Sequence, residues 1–161
     1  MKTTLNKSVL TGDTLVFTPT GYRCIKSLEV GDEVISLNNN TDKPETKKVK
    51  AIQKNISDSI VTLSTNKGTI EVTPKSIFTL DDDTLMEAKD LLMGCSIKSL
   101  NGHLRLKYIG RSEVQKSIFN LEVEGGNNFF ISKQDALIQG IQKDLTMEQI
   151  EEKLMETVSH D

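Results

Sequence analysis

The sequence predicts an all-β domain built by duplication and followed by a C-terminal α-helix. Three observations carry this: short runs in which apolar and polar residues alternate, turn-forming residues between them, and two stretches that recur in the same order.

The runs are TLVFT (14–18), EVIS (33–36), KVKAI (48–52), SIVTLST (59–65), GTIEVT (68–73), LRLKYI (104–109), SIFNLEVE (117–124) and NFFIS (128–132). Alternation with period two places one face of each strand in a core and the other in water. Pro19-Thr20-Gly21, Asn38-Asn39-Asn40, Asn66-Lys67-Gly68, Asp81-Asp82-Asp83, Asn101-Gly102 and Gly125-Gly126 punctuate them. Asn101-Gly102 suits a tight hairpin turn with positive φ at both residues. Asn38-Asn39-Asn40 with the following TDKPETKK is expected to form a mobile surface loop.

GYRCIKSLEVGDEVIS (21–36) matches TLMEAKDLLMGCSIKS (84–99) at Leu28/Leu91, Val30/Met93, Gly31/Gly94, Val34/Ile97 and Ser36/Ser99. VKAI (49–52) then resembles LKYI (106–109), and IVTLSTNKG (60–68) resembles IFNLEVEGG (118–126). Two interlocked halves around a pseudo-twofold axis, sharing one core in a barrel-like or horseshoe-shaped domain, account for this order.

Beyond Asp144 the pattern changes. Thr146 and Gln149 form a capping box, and Met147, Ile150, Leu154 and Val158 recur at spacings of three and four. The resulting apolar stripe either packs on its own domain or docks to a partner.

Composition narrows the function. Twenty Lys and Arg against 23 Asp and Glu leave a net charge of −3, with no electrostatic footprint for nucleic acid. Two Cys and two His make neither a disulfide framework nor a plausible zinc site. No apolar run is long enough for a membrane helix, and MKTTLNKSVL lacks the apolar stretch of a secretory signal. Cys24 and Cys95 read as small buried apolar residues. Asp81-Asp82-Asp83 departs from calcium-loop spacing and reads as a solvated turn. Lys43, Lys47, Lys48, Lys50 and Lys54, without stacking aromatics, read as a solvated face. No cofactor, metal or small-molecule substrate is expected.

Three segments together resemble one family. GDTLVFTPTGYRCIKSLEVGDEVIS resembles the opening of the Hint family of inteins and Hedgehog processing domains, which begins Cys-x-x-Gly-Asp-Thr. TIEVTPKSIFTLDDDTLMEAKDLLMG resembles its Thr-x-x-His segment. SIFNLEVEGGNNFFISKQDALIQG resembles its closing segment, with His-Asn-Phe and a final Val-His-Asn. The resemblance covers residues 9–140 and implies the Hint fold, with residues 1–8 as a lead and 141–161 as a helical tail.

It also implies where catalytic groups would stand. Aligning on Gly12-Asp13-Thr14 puts Val9 at the nucleophile of the first acyl shift, a step that needs Cys or Ser. Ser76 stands at the His of Thr-x-x-His, so a hydroxyl replaces the expected general acid; with Thr73 it reads as a buried hydrogen-bonding corner. Asn127 stands at the His of His-Asn-Phe, and Asn120 at a nearby acidic position. Gln139 and Gly140 replace the terminal His-Asn, and Ile141 follows where an acyl acceptor is needed. His103 and His160 match no family position.

The expectation is therefore a non-catalytic Hint-fold structural or protein-binding module. Its partners are other protein subunits, reached through Met147, Ile150, Leu154 and Val158. The chain begins with its own Met and runs past the splice end, so it does not read as an intein held between host segments. By analogy it fits an accessory subunit of a larger assembly such as a bacteriophage particle, located in the cytoplasm or the virion. The competing expectation is a self-processing domain with Ser8 as nucleophile.

Overall fold

Fourteen antiparallel strands and two single 3-10 turns build residues 10–141, the part of the chain that the computed structural model describes. No α-helix occurs among the described residues. Ser8, Val9 and the predicted helix with Met147, Ile150, Leu154 and Val158 lie outside them.

The strands are β1 (Leu10–Thr11), β2 (Leu15–Thr18), β3 (Gly21–Cys24), β4 (Glu33–Asn38), β5 (Lys43–Ser57), β6 (Ile60–Thr65) and β7 (Gly68–Val72). The second half adds β8 (Ile77–Thr79), β9 (Leu85–Glu87), β10 (Ser96–Lys98), β11 (His103–Ser112), β12 (Lys116–Val123), β13 (Asn128–Ile131) and β14 (Ala136–Gln139). One sheet runs β10-β11-β6-β7-β1-β12-β5-β4 and the other β3-β2-β13-β14-β8-β9. Both sheets feed one core. Leu10, Leu63, Val72, Leu106 and Leu121 of the larger sheet and Val16, Phe78, Phe129 and Ile138 of the smaller belong to one buried cluster. Removal of this apolar surface from water is the main stabilising term.

The repeat seen in the sequence is a repeat of hydrogen bonds. The Gly31 N–H donates to the Val49 carbonyl at 2.9 Å, and the Gly94 N–H to the Leu106 carbonyl at 2.6 Å. Val49 and Leu106 return the bond to the Asp32 and Cys95 carbonyls. Gly31 and Gly94 sit at φ +96° and +90°, where a side chain is strained. Upstream, 3-10 turns Ile25–Ser27 and Ala88–Asp90 start alike: Ile25 N–H on the Thr14 carbonyl, Ala88 N–H on the Ser76 carbonyl.

The halves also exchange strands. β5 pairs first with β4 of its own half, through Lys43–Lys48, and then with β12 of the other, through Val49–Ser57. β11 likewise pairs with β10 and then with β6. Interlocking was expected, and these two long strands are its physical form.

Some expectations need correction. Residues from Lys43 onward are not a mobile loop but the start of β5, with Pro44 opposite Leu37 and Thr46 opposite Ile35. Residues 43–48 of β5 are exposed or half-buried on both faces, so their polar composition imitates a loop. Of Asn101-Gly102, only Gly102 adopts positive φ, +94°. The β10–β11 connection spans four residues and needs just one left-handed position. Cys24 and Cys95 are half-buried rather than buried, because Cys24 ends β3 and Cys95 follows the exposed Gly94 turn.

Candidate functional site

Strand β12 holds both the first and the last of the described residues. Leu10 pairs with Phe119 of β12 on one side and with Val72 of β7 on the other. Leu10 therefore lies between β12 and the strand that leads into Thr73. Two residues along β12, the Leu121 carbonyl accepts the Ile141 N–H at 2.8 Å. Leu10 and Ile141 thus share one strand, held by main-chain bonds that need no particular side chain.

Asn127 braces the segment that follows β14. It adopts φ +54°, a conformation that Asn tolerates better than most residues. Its Oδ1 accepts the Val123 N–H at 2.9 Å, and its Nδ2 donates to the Ile141 carbonyl at 2.8 Å. Its own carbonyl accepts the Gly140 N–H at 2.7 Å. One carboxamide thus ties the end of β12 to the residue after Gly140. There is no space for a side chain at Gly140 itself: a Cβ there would run into Asn127 Oδ1 and the Leu121 carbonyl oxygen.

The remaining positions singled out by the resemblance are also built into local structure. Thr73 and Ser76 are buried, with hydroxyl oxygens 3.3 Å apart, in the corner expected from the sequence. The Ser76 N–H donates to the Thr73 carbonyl and its own carbonyl accepts from Ala88. Gln139 pairs with Asn128 across β13–β14 and donates its Nε2 to Thr79 Oγ1 at 3.2 Å. Asn120 is fully buried. Its Oδ1 accepts the adjacent Leu121 N–H at 2.8 Å, while Nδ2 has no hydrogen-bond partner among the described residues. Across β5 its neighbour Gln53 carries a buried Oε1 in the same condition. Each such atom costs about 1–3 kcal/mol of desolvation.

Chemically this is a set of hydroxyls and carboxamides, none of which exchanges a proton near neutral pH. The one imidazole among the described residues, His103, opens β11 and pairs with Asp81 at 2.8 Å. β11 lies four strand positions from β12, roughly 19 Å at ordinary strand spacing. Burial pushes the Cys95 thiol up, away from the reactive thiolate. No group of three or more His, Cys, Asp or Glu arranged to hold a metal occurs among the described residues.

Solved structures share this architecture. An intein-like domain from Clostridium thermocellum superimposes with a TM-score of 0.78 over 83% of this chain and 99% of its own, at 20% identity. The chain carries the Hint fold of inteins. A DnaB intein from Synechocystis sp. matches at 0.76, with 22% identity over 84% of this chain and all of its own. The Ssp DnaB mini-intein variant M86 matches at 0.75, with 22% identity over 86% and 97%. No protein-family model and no curated protein matches the sequence.

Within this Hint fold, three fixtures escaped the sequence reading. Asn128 is fully buried, accepts from Ser36 Oγ and the Leu37 N–H, and donates to the Leu37 carbonyl, pinning β13 to β4. Tyr22 donates its hydroxyl to the buried Asp135 at 2.7 Å. Lys98 bridges Asp42 and Asp83 at two hairpin tips. Partners more than fifty residues apart left no local pattern for the first two. No helix among the described residues is long and apolar enough to cross a membrane.

Proposed function

We propose that this chain is a Hint-fold domain that neither splices nor cleaves itself and serves as a structural or protein-binding module. The observation that carries this is the Asn127 bridge. The carboxamide occupies the place of a catalytic imidazole, and both its atoms are spent holding Val123 and Ile141. Beside it, Gly140 has neither the side chain that would cyclise nor room for one. Ser76, Gln139 and Val9 complete a set of substitutions that removes the acid, the terminal His and the first nucleophile.

Retention of the scaffold without its proton-transfer groups fits a module valued for its shape. Its partners are other protein subunits, and the stripe Met147, Ile150, Leu154 and Val158 is the segment assigned to dock them. An accessory place in a larger particle, such as a bacteriophage virion, fits this role.

Intact mass spectrometry of the purified chain tests the proposal. A mass that stays at 17.9 kDa, with and without added thiol, supports it. Fragments broken beside Ser8 or Val9 overturn it in favour of self-processing. The docking role predicts that removing residues 145–161 abolishes assembly while the β-domain stays folded; unchanged assembly contradicts it.

A further inference from the structure

We infer that Asn101-Gly102 is a self-modification site, where the folded chain converts Asn101 to aspartate and isoaspartate through a succinimide. The pair lies in the exposed connection between β10 and β11. It is the chain's one Asn-Gly sequence. Glycine leaves the following nitrogen unshielded, and the Gly102 N–H makes no hydrogen bond among the described residues. The nucleophile is therefore free.

The fold also activates it. Lys67 Nζ donates to the Asn101 carbonyl oxygen at 2.8 Å. That oxygen belongs to the amide whose nitrogen must lose a proton, so the ammonium stabilises the negative charge that develops there. The carboxamide under attack is loosely held, its Nδ2 reaching Asp135 Oδ2 only at 3.4 Å. Asn127 and Asn128 are each gripped by two or three side-chain bonds and are followed by bulkier residues.

In the first step the Gly102 nitrogen bonds to Asn101 Cγ and the Cγ–Nδ2 bond breaks. Ammonia leaves, carrying the proton from the Gly102 nitrogen. Water then opens the ring at either carbonyl. Cleavage of the bond to Cγ gives aspartate; cleavage of the bond to the main-chain carbon gives isoaspartate. One water is consumed and one ammonia released. The product places a carboxylate where a donor now faces the buried Asp135. This replaces an attraction between the β10–β11 and β13–β14 connections with repulsion.

The test is peptide mapping of the full chain held in mildly alkaline buffer, native and in denaturant, beside Lys67→Gln. The expected result is conversion at Asn101 ahead of every other asparagine, at least as fast in the native chain as in denaturant. Lys67→Gln should be several-fold slower when native and equal to the parent in denaturant, where Lys67 no longer stands on the carbonyl. Native Asn101 converting more slowly than in denaturant overturns the inference. A native Lys67→Gln rate equal to the parent's removes the activation assigned to Lys67.

Discussion

Asn127 Nδ2 donates to the Ile141 carbonyl at 2.8 Å while its Oδ1 accepts the Val123 N–H, so one side chain fastens the segment after β14 to β12. Replacing Asn127 with Ala removes both bonds and leaves a main-chain donor and acceptor half-buried. The expected loss is about 2 kcal/mol of unfolding free energy, read as a lower urea midpoint at unchanged slope. A midpoint equal to that of the parent shows that the bridge carries no stability.

Gly140 tests the same junction from the other side. Asn at this position would supply the residue type that the resemblance to inteins puts there, yet its Cβ meets Asn127 Oδ1 and the Leu121 carbonyl oxygen. Gly140→Asn is expected to cost about 3 kcal/mol through this overlap and to release no C-terminal fragment. A stable variant that sheds residues 141–161 contradicts both parts.

Tyr22 and Asp135 predict a pH response. Burial, then the hydrogen bond and charge of Asp135, push the Tyr22 hydroxyl up to about 12 from its usual 10.0. The folded state thus favours the protonated phenol. Its contribution is full below the unfolded value and is lost as pH rises through the folded one. Tyr22→Phe should cost about 1 kcal/mol at neutral pH, discounted because the ring is partly in solvent. It should also erase a tyrosinate absorbance step near 12. Persistence of that step in the variant refutes the assignment.

Strand positions were readable where alternation ran far enough to show a period. SIFNLEVE at 117–124 became β12 at Lys116–Val123, and NFFIS became β13. β8 and β9 have three residues each, too few for any period, and Ala136–Ile138 of β14 is buried throughout, which removes the alternation. The start of β5 hid for the opposite reason, being polar on both faces where the arm extends into water. At the site, the resemblance to the Hint family is what pointed to Ser76, Asn127, Gln139 and Gly140. What they do there was not legible, because the Asn127 bond to Ile141 depends on how β12 and β14 meet, not on the residues beside either. That Asn120 Nδ2 finds no partner among the described residues likewise depends on its register with Gln53.

The most direct test of whether the chain splices or cleaves itself uses the whole chain fused in frame between two soluble reporter domains. Denaturing gels and intact mass over days, with and without thiol, report any break at either end. A single unbroken fusion is the predicted result. A reporter freed at either junction, or the two reporters joined with this chain excised, contradicts the proposal that the Hint scaffold here has outlived its reaction.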